Sequence, residues 1–209
     1  MAPFNLSSAF ITFFAVVGPP KVLLAFGHLA RSRTSRELIR VAAVSSAIAA
    51  VLGIAVAYTA EFLTDFFHIG DESLKLAGGL IFTVYAIGLV LGLHLGAGDD
   101  SETLGNPLAE GVRELLLPFV ASPLAMTAIL VETIGDNGLG WNTTIAVAYT
   151  AVVAIDLACV ALLAPVLRRT HQTTLEVLSR LLGLLLAAVG VELFLAGLVA
   201  LGVPLGEPH

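Results

Sequence analysis

Charged residues are scarce in this sequence, and their scarcity excludes most classes of protein. Only 12% of its 209 residues are Asp, Glu, Lys or Arg, whereas 57% are hydrophobic. A soluble domain carries about 25% charged residues, so this chain has too few of them to cover a surface in water. The 16 acidic residues outnumber the 10 basic ones, and a protein that binds nucleic acid needs the opposite balance. The composition predicts an integral membrane protein with no nucleic-acid partner.

Cysteine and histidine are also too sparse to build a reactive centre. The chain has one cysteine, Cys159, and 5 histidines, which form no cluster with the spacing of metal ligands. A single thiol makes no intramolecular disulfide, and a zinc site needs several Cys or His ligands close together. The sequence also lacks a Ser-His-Asp constellation. We therefore expect no metal, no cofactor and no enzymatic activity.

Long apolar runs are what the sequence does contain. A helix that crosses the hydrocarbon core needs about 20 mostly apolar residues, whereas a membrane barrel would show strands of alternating polarity. The predicted fold class is an all-α membrane protein with six transmembrane helices, forming one domain over residues 1–209. The predicted spans, in chain order, are Leu6–Leu29, Leu38–Leu63, Leu74–Leu95, Leu115–Ile134, Thr144–Leu167 and Val177–Leu201.

Basic residues predict the orientation of these spans, because they accumulate in cytoplasmic connections. Arg31 and Arg33 lie in the first connection, Arg113 in the third and Arg168 in the fifth. The alternation predicts a multi-pass protein of the cell (inner) membrane with both termini outside. The acidic third connection, at about 96–114, would then be a cytoplasmic loop.

Two pairs of spans align with each other at nearly the same offset. Lys75 of span three meets Arg180 of span six, and Pro19 of span one meets Pro123 of span four. Spans two and five show no convincing match. With three spans per copy, the second copy enters the membrane from the other side, a construction common in secondary transporters. The sequence predicts two inverted three-helix repeats, at about 5–95 and about 115–201.

Prolines interrupt spans one and four and predict broken helices. A proline lacks the backbone N–H and clashes with the carbonyl four residues earlier. An unsatisfied carbonyl in hydrocarbon costs on the order of several kcal/mol, so a break persists only against protein or a hydrated cavity. A kink relieved by neighbouring helices is the simpler interpretation.

We predict that the two breaks form a substrate site. The half-helix that begins near Lys21 presents N–H groups to an anion, and the freed carbonyls accept from an ammonium group, so a zwitterion would suit both. The predicted substrate-binding residues are Ala15, Val16, Gly18, Pro19, Pro20, Lys21, Phe119, Ser122 and Pro123.

Ionisable residues inside the spans are candidates for proton coupling. Asp156 lies at the centre of span five and Glu192 near the centre of span six. A lone charge there costs at least about 2.5–3.5 kcal/mol, so it persists where it pairs, titrates or binds. Pairing of Asp156 with Lys21 is the alternative, and Lys21 itself could extend toward the cytoplasmic face. Glu132, near the outer end of span four, is expected at the interface.

Glycines recur at spacings that favour close helix packing and oligomer formation. They lie at every seventh position in span six and every fourth in span three: Gly183, Gly190 and Gly197, and Gly88, Gly92 and Gly96.

Two segments resemble the MarC family. Leu74-Lys-Leu-Ala-Gly-Gly-Leu-Ile resembles its R-x-A-G-G segment, and Leu178-Ser-Arg-Leu-Leu-Gly resembles its closing S-R-L-x-G segment. The resemblance covers nearly the whole chain and implies a six-span inner-membrane protein. Some members are described as transporters of small neutral amino acids such as glycine and alanine.

The chain departs from the pattern of that family at its breaks and in its last span. Gly18-Pro19 stands where Asn-Pro is usual, and Ser122-Pro123-Leu124 stands where Gly-Pro-Gly is usual. Glu192 replaces a usual Gln, and Ala196 replaces a usual Asn. These departures make the chain a divergent relative.

The leading hypothesis is a secondary transporter of a small polar solute, a neutral amino acid such as glycine or alanine, that works by alternating access coupled to protons. An ion channel, or an exporter of another small solute using the same carboxylates, is the alternative. A membrane-embedded enzyme or an assembly partner is the third hypothesis. The expected partners are the solute, membrane lipid and further copies of the chain.

Overall fold

A computed structural model describes residues 6–19, 22, 34–92, 122–134, 140–167 and 172–204. These residues form helices joined by turns, and none of them lies in a strand. The helices are α1 (Leu6–Val16), α2 (Ser35–Phe67), α3 (Asp71–Leu91), α4 (Pro123–Ile134), α5 (Trp141–Leu167) and α6 (Gln172–Ala200). Each overlaps the predicted span of the same number.

Four of these helices contain segments long and apolar enough to cross a membrane. The segments are Ser35–Phe67, Asp71–Leu91, Trp141–Leu163 and Arg180–Ala200, and α4 adds a shorter apolar helix over Leu124–Ile134. Large apolar side chains cover their outer faces; Leu162, for example, is 76% exposed. Such a surface suits hydrocarbon rather than water, so the predicted all-α membrane fold is confirmed.

Helix α2 is longer than its predicted span because both of its ends are capped. Thr34 and Glu37 form a reciprocal capping box, in which the Thr34 backbone N–H donates to Glu37 Oε2 at 2.9 Å. His68 closes the other end in the left-handed conformation, with φ of 53°. Capping satisfies backbone groups that have no partner within the helix, so α2 extends beyond the apolar run itself.

Span one is interrupted where the prolines predict it. Helix α1 ends at Val16, and helical conformation returns at Pro19. Gly18 donates its backbone N–H to the Phe14 carbonyl at 3.1 Å, and Val22 donates to the Gly18 carbonyl at 3.4 Å. A Cβ atom at Gly18 would overlap the Phe14 carbonyl oxygen. The bend at this position therefore requires glycine.

In span four the proline begins a helix. Pro123 is the first residue of α4, where a missing N–H costs nothing because the first helical N–H groups have no intrahelical partner. Ser122 caps that end, since its Oγ accepts from the Ala125 N–H at 3.2 Å. Residues 93–121, with Phe119 and the predicted acidic loop, lie outside the described residues.

Every helix packs on its counterpart three spans away along the chain. Helix α3 packs on α6 more extensively than any other two helices do, and α2 packs on α5 and α1 on α4. Two further pairs of contacts match when the two halves are exchanged: α1 touches α5 as α2 touches α4, and α1 touches α6 as α3 touches α4. The contact of α4 with α5 has no equally extensive counterpart between α1 and α2 among the described residues. This is the pairing expected of inverted repeats, although the repeat organisation itself stays a prediction.

A seam of glycines holds α3 and α6 together. A Cβ atom at Gly190 would lie 2.8 Å from Thr83 Oγ1, and one at Gly197 would lie 2.9 Å from Leu76 Cγ. At Gly183 it would lie 2.8 Å from Val90 Cγ2. The facing positions on the two helices follow the same seven-residue spacing in opposite directions, so the helices run antiparallel in a heptad register.

The four-residue spacing in span three does not form such a seam. Gly88 is buried, but Gly92 ends α3 in the left-handed conformation, with φ of 74° and no heavy atom within 4 Å of an added Cβ. A glycine at position 92 therefore permits the turn that ends α3 and does not contribute to helix packing. Gly96 lies outside the described residues.

We expect Gly190→Val to destabilise the protein, because its side chain would collide with Thr83 and Phe82 and separate α3 from α6. Overpacking of this kind typically costs about 1–3 kcal/mol. Thermal unfolding of the purified protein in detergent would measure the loss. Ala200→Val, at an exposed position in the last turn of α6, is the matched control. Equal unfolding temperatures of the two variants would contradict the role of the seam.

Candidate binding cavity

A cavity of about 440 Å³ lies among helices α1, α3, α4 and α6. This volume falls within the range of about 300–1,000 Å³ typical of small-molecule sites. Two of these helices belong to the first predicted repeat and two to the second. The described residues that line it are Thr12, Phe82, Ala128, Val131, Glu132, Ala188, Val189, Glu192, Leu193 and Ala196.

Glu132 is the most constrained polar group of the cavity. Only 7% of the residue is exposed, and the Thr12 hydroxyl of α1 hydrogen-bonds its carboxyl group. The other carboxyl oxygen, Oε2, is buried without a hydrogen-bond partner among the described residues. A buried carboxylate oxygen without a partner is costly, so a proton on this carboxyl group or a cation beside it would offset that cost.

Trp141 fixes the backbone from which Glu132 projects. The indole Nε1 at the start of α5 donates to the Glu132 carbonyl oxygen at 2.8 Å. That carbonyl lies in the last turn of α4, where carbonyl groups have no partner within the helix. The glutamate is therefore held by α1 through its side chain and by α5 through its main chain.

The sequence did not single out Glu132 as a residue of the binding site, and its expected position at the membrane interface stays a prediction. The residue does lie near the end of its helix. However, α4 is short and its end is covered by Thr12 and Trp141, so the side chain is enclosed by protein. A single charge near the end of an apolar run gives no sign of that enclosure.

Glu192 contributes the second carboxyl group of the cavity. It lies on α6, is exposed, and lines the cavity with Ala196, which is one helical turn further along. The glycine seam lies on another face of α6, because Gly190 packs on α3. One helix thus carries the packing surface and the cavity surface side by side.

Asp156 lies elsewhere, in the core formed around α5. It is 2% exposed and is not among the described residues that line the cavity. It acts electrostatically on Tyr149, two turns earlier on α5, whose ring packs edge-on against Phe13 at 5.7 Å. Gly53 of α2 leaves space for that ring, since a Cβ there would overlap it. The coupling role of Asp156 stays a prediction.

The predicted break residues lie beside the cavity helices but are not among its described lining. Val16, Gly18, Pro19 and Ser122 are buried, and Ala15 is exposed. Pro20, Lys21 and Phe119 lie outside the described residues, and of Pro123 the backbone alone is described. Their role in binding a substrate stays a prediction.

The regions of the two predicted breaks nevertheless contribute to one core. Val16 and Val17 at the end of α1 belong to the same buried cluster as Leu124 and Ala125 at the start of α4. Helices α1 and α4 also contact each other, and the part of span four before Ser122 lies outside the described residues. Within the described part of the chain, no group of three or more His, Cys, Asp or Glu side chains could hold a metal ion.

The cavity lies between two sets of helices, which also touch each other where α3 meets α4 and α1 meets α6. On one side α3 and α6 are joined by the glycine seam, and on the other side α1, α2, α4 and α5 pack among themselves. Glu192 belongs to the first set and Glu132 to the second. A shift of one set against the other would change the distance between the two carboxyl groups.

Comparisons with known proteins agree with this architecture. The UPF0056 membrane protein YhcE of Escherichia coli (strain K12) is 26% identical, over 90% of this chain and 89% of its own. The UPF0056 membrane protein YvbG of Bacillus subtilis (strain 168) is 25% identical, over 90% of this chain and 92% of its own. The UPF0056 inner membrane protein MarC of Salmonella arizonae (strain ATCC BAA-731 / CDC346-86 / RSK2980) is 23% identical, over 90% and 91%. No solved structure matches the chain significantly.

The match to the family itself covers residues 4–201, almost the full length of the chain. It includes all six described helices and every residue that lines the cavity. The chain therefore belongs to the MarC family of integral membrane proteins.

Proposed function

We propose that this protein is a secondary transporter of a small polar solute in the cell membrane, working by alternating access. The observation that carries the proposal is the buried Glu132 carboxyl group, with an oxygen left for a ligand, in a cavity between the two predicted repeats. Secondary transporters commonly bind their substrates at a repeat interface near the middle of the membrane. Glycine and alanine are the first solutes to test, because the resemblance implies small neutral amino acids and their ammonium group suits carboxylates.

The helix packing suggests how access would alternate. The α3–α6 pair would move as one body against the other four helices, since the glycine seam leaves little room for sliding within the pair. A solute bound between Glu132 and Glu192 would bridge the two bodies and favour the closed arrangement. Binding shifts a conformational equilibrium only by such differential contacts. When the transporter changes back to its starting conformation without a bound solute, protons would occupy the carboxyl groups of Glu132 and Glu192.

A channel is the second candidate, and the exposure of Glu192 favours it. A continuous pathway past this carboxylate would conduct cations without a cycle of conformations. It would give electrical currents, and internal solute would not accelerate the entry of labelled solute. An exporter using the same cavity would differ from the proposed carrier only in its direction.

Counterflow in proteoliposomes tests the carrier. Vesicles preloaded with unlabelled alanine should transiently accumulate labelled alanine above its external concentration, because exchange through one binding site needs no external energy. Vesicles without protein and vesicles without internal alanine are the controls. The same experiment with glycine covers the second solute. Steady currents without counterflow would favour the channel and contradict the carrier.

Glu192→Gln should abolish transport driven by a pH gradient, because the amide cannot carry a proton. Exchange at saturating solute should persist at lower affinity, since exchange requires no net proton movement. Uptake with and without an imposed pH gradient measures both quantities. Glu61→Gln, at an exposed carboxyl group away from the cavity, is the matched control. Unchanged gradient-driven uptake by Glu192→Gln would remove Glu192 from proton coupling.

Pro19→Ala and Pro123→Ala test whether the breaks serve transport or only folding. Alanine restores the missing N–H and favours a continuous helix, so both variants should transport more slowly while remaining folded. Size-exclusion profiles and counterflow rates would be compared with those of the unmodified protein. Unimpaired counterflow in both variants would show that transport does not need the breaks.

A further inference from the structure

We propose that the cavity selects a small organic cation that carries no carboxylate, such as a quaternary ammonium group on a short body. The proposal rests on the carrier function proposed above and narrows the substrate class of the same site. We expect amino acids to bind more weakly than such a cation, because the cavity has to accommodate their carboxylate group as well as their ammonium group.

The side chains that line the cavity include acidic groups that favour a cation. Glu132 and Glu192 are acidic, and none of the described residues that line the cavity is basic. The Thr12 hydroxyl, which could serve a carboxylate, is already hydrogen-bonded to Glu132. A zwitterion would bring its carboxylate close to two like charges, and in a partly desolvated site that repulsion is strong. A solute with only a positive charge avoids it.

A polar atom without a partner supports a ligand at this position. Glu132 is more than nine-tenths buried, and its Oε2 has no hydrogen-bond partner among the described residues. Two acidic residues near each other would not by themselves indicate a site. Here one of them is buried with a free acceptor at a cavity large enough for a solute. A cation at this point would offset the cost of burying the carboxylate.

The rest of the lining excludes a bare metal ion and favours an organic body. Calcium takes about six to eight oxygen ligands, whereas the remaining lining side chains are those of Phe82 and of aliphatic residues. Such walls pack well against methyl and methylene groups. Inorganic cations would lose their hydration there without replacement.

Three solutes of similar size separate the contributions of charge and shape. Choline carries a positive charge only, glycine betaine adds a carboxylate, and 3,3-dimethylbutanol is an uncharged analogue of choline. Choline keeps its charge at every pH and does not cross a bilayer unaided. Two measurements on the purified full-length protein are needed. The first is the shift in thermal unfolding temperature with each solute, and the second is counterflow of labelled choline in proteoliposomes.

We expect choline to raise the unfolding temperature and to show counterflow at about tenfold lower concentration than glycine betaine does, and 3,3-dimethylbutanol to do neither. Glu132→Gln and Glu192→Gln should each raise the choline concentration for half-maximal stabilisation about tenfold or more, because each removes a charge that contacts the cation. Glu61→Gln, which removes an exposed carboxylate outside the cavity, should leave that concentration unchanged.

The outcomes separate this inference from the carrier function. Equal effects of choline and glycine betaine would overturn the selectivity, as would choline binding that is unaffected by both cavity variants. If alanine shows counterflow and choline has no effect in either measurement, the inference is overturned but the carrier function is supported. Stabilisation by choline alone, lost in the cavity variants, without counterflow of any solute, would support the cation site and overturn the carrier. No effect of choline in either measurement would overturn the inference.

Discussion

The close antiparallel contact between α3 and α6 is the constraint on which the rest of this structure depends. Helices in a bilayer gain little from hydrophobic burial against each other, because the lipid chains are as apolar as leucine. Their association relies on close packing, which glycines on α6 permit at Gly183, Gly190 and Gly197. Once one face of α6 is fixed against α3, a different face can line the cavity. The position of Glu192 follows from this division of the helix surface.

The second constraint is that a bilayer tolerates interrupted helices only where protein encloses them. Span one is interrupted at Gly18 and α4 begins at Pro123, just after Ser122, and the described residues around both positions are largely buried. Gly18 permits the bend, and Ser122 replaces a missing hydrogen-bond acceptor at the start of α4. The described helices α1 and α4 are short, so each contributes little length to the packing of the bundle. The cavity lies where these short helices meet the long α3 and α6.

The sequence predicted features that depend on local chemistry and missed those that depend on which helices become neighbours. The positions of the helices follow from apolar length, and the Gly183 series follows from its seven-residue spacing. The break at Gly18 follows from proline chemistry. Burial of Glu132 could not be predicted, because it depends on Thr12 and Trp141, which lie on other helices. The role of Gly92 was also missed, since a glycine that ends a helix and one that packs between helices look alike in a sequence.

The hydrogen bond from Trp141 to the Glu132 carbonyl has a consequence for spectroscopy. The chain contains one tryptophan, so its intrinsic fluorescence arises from a single indole. That indole is joined to the backbone of the residue with the most constrained carboxyl group of the cavity. Tryptophan emission from the unmodified protein therefore originates beside the cavity, and changes at Glu132 can be followed optically without an added label.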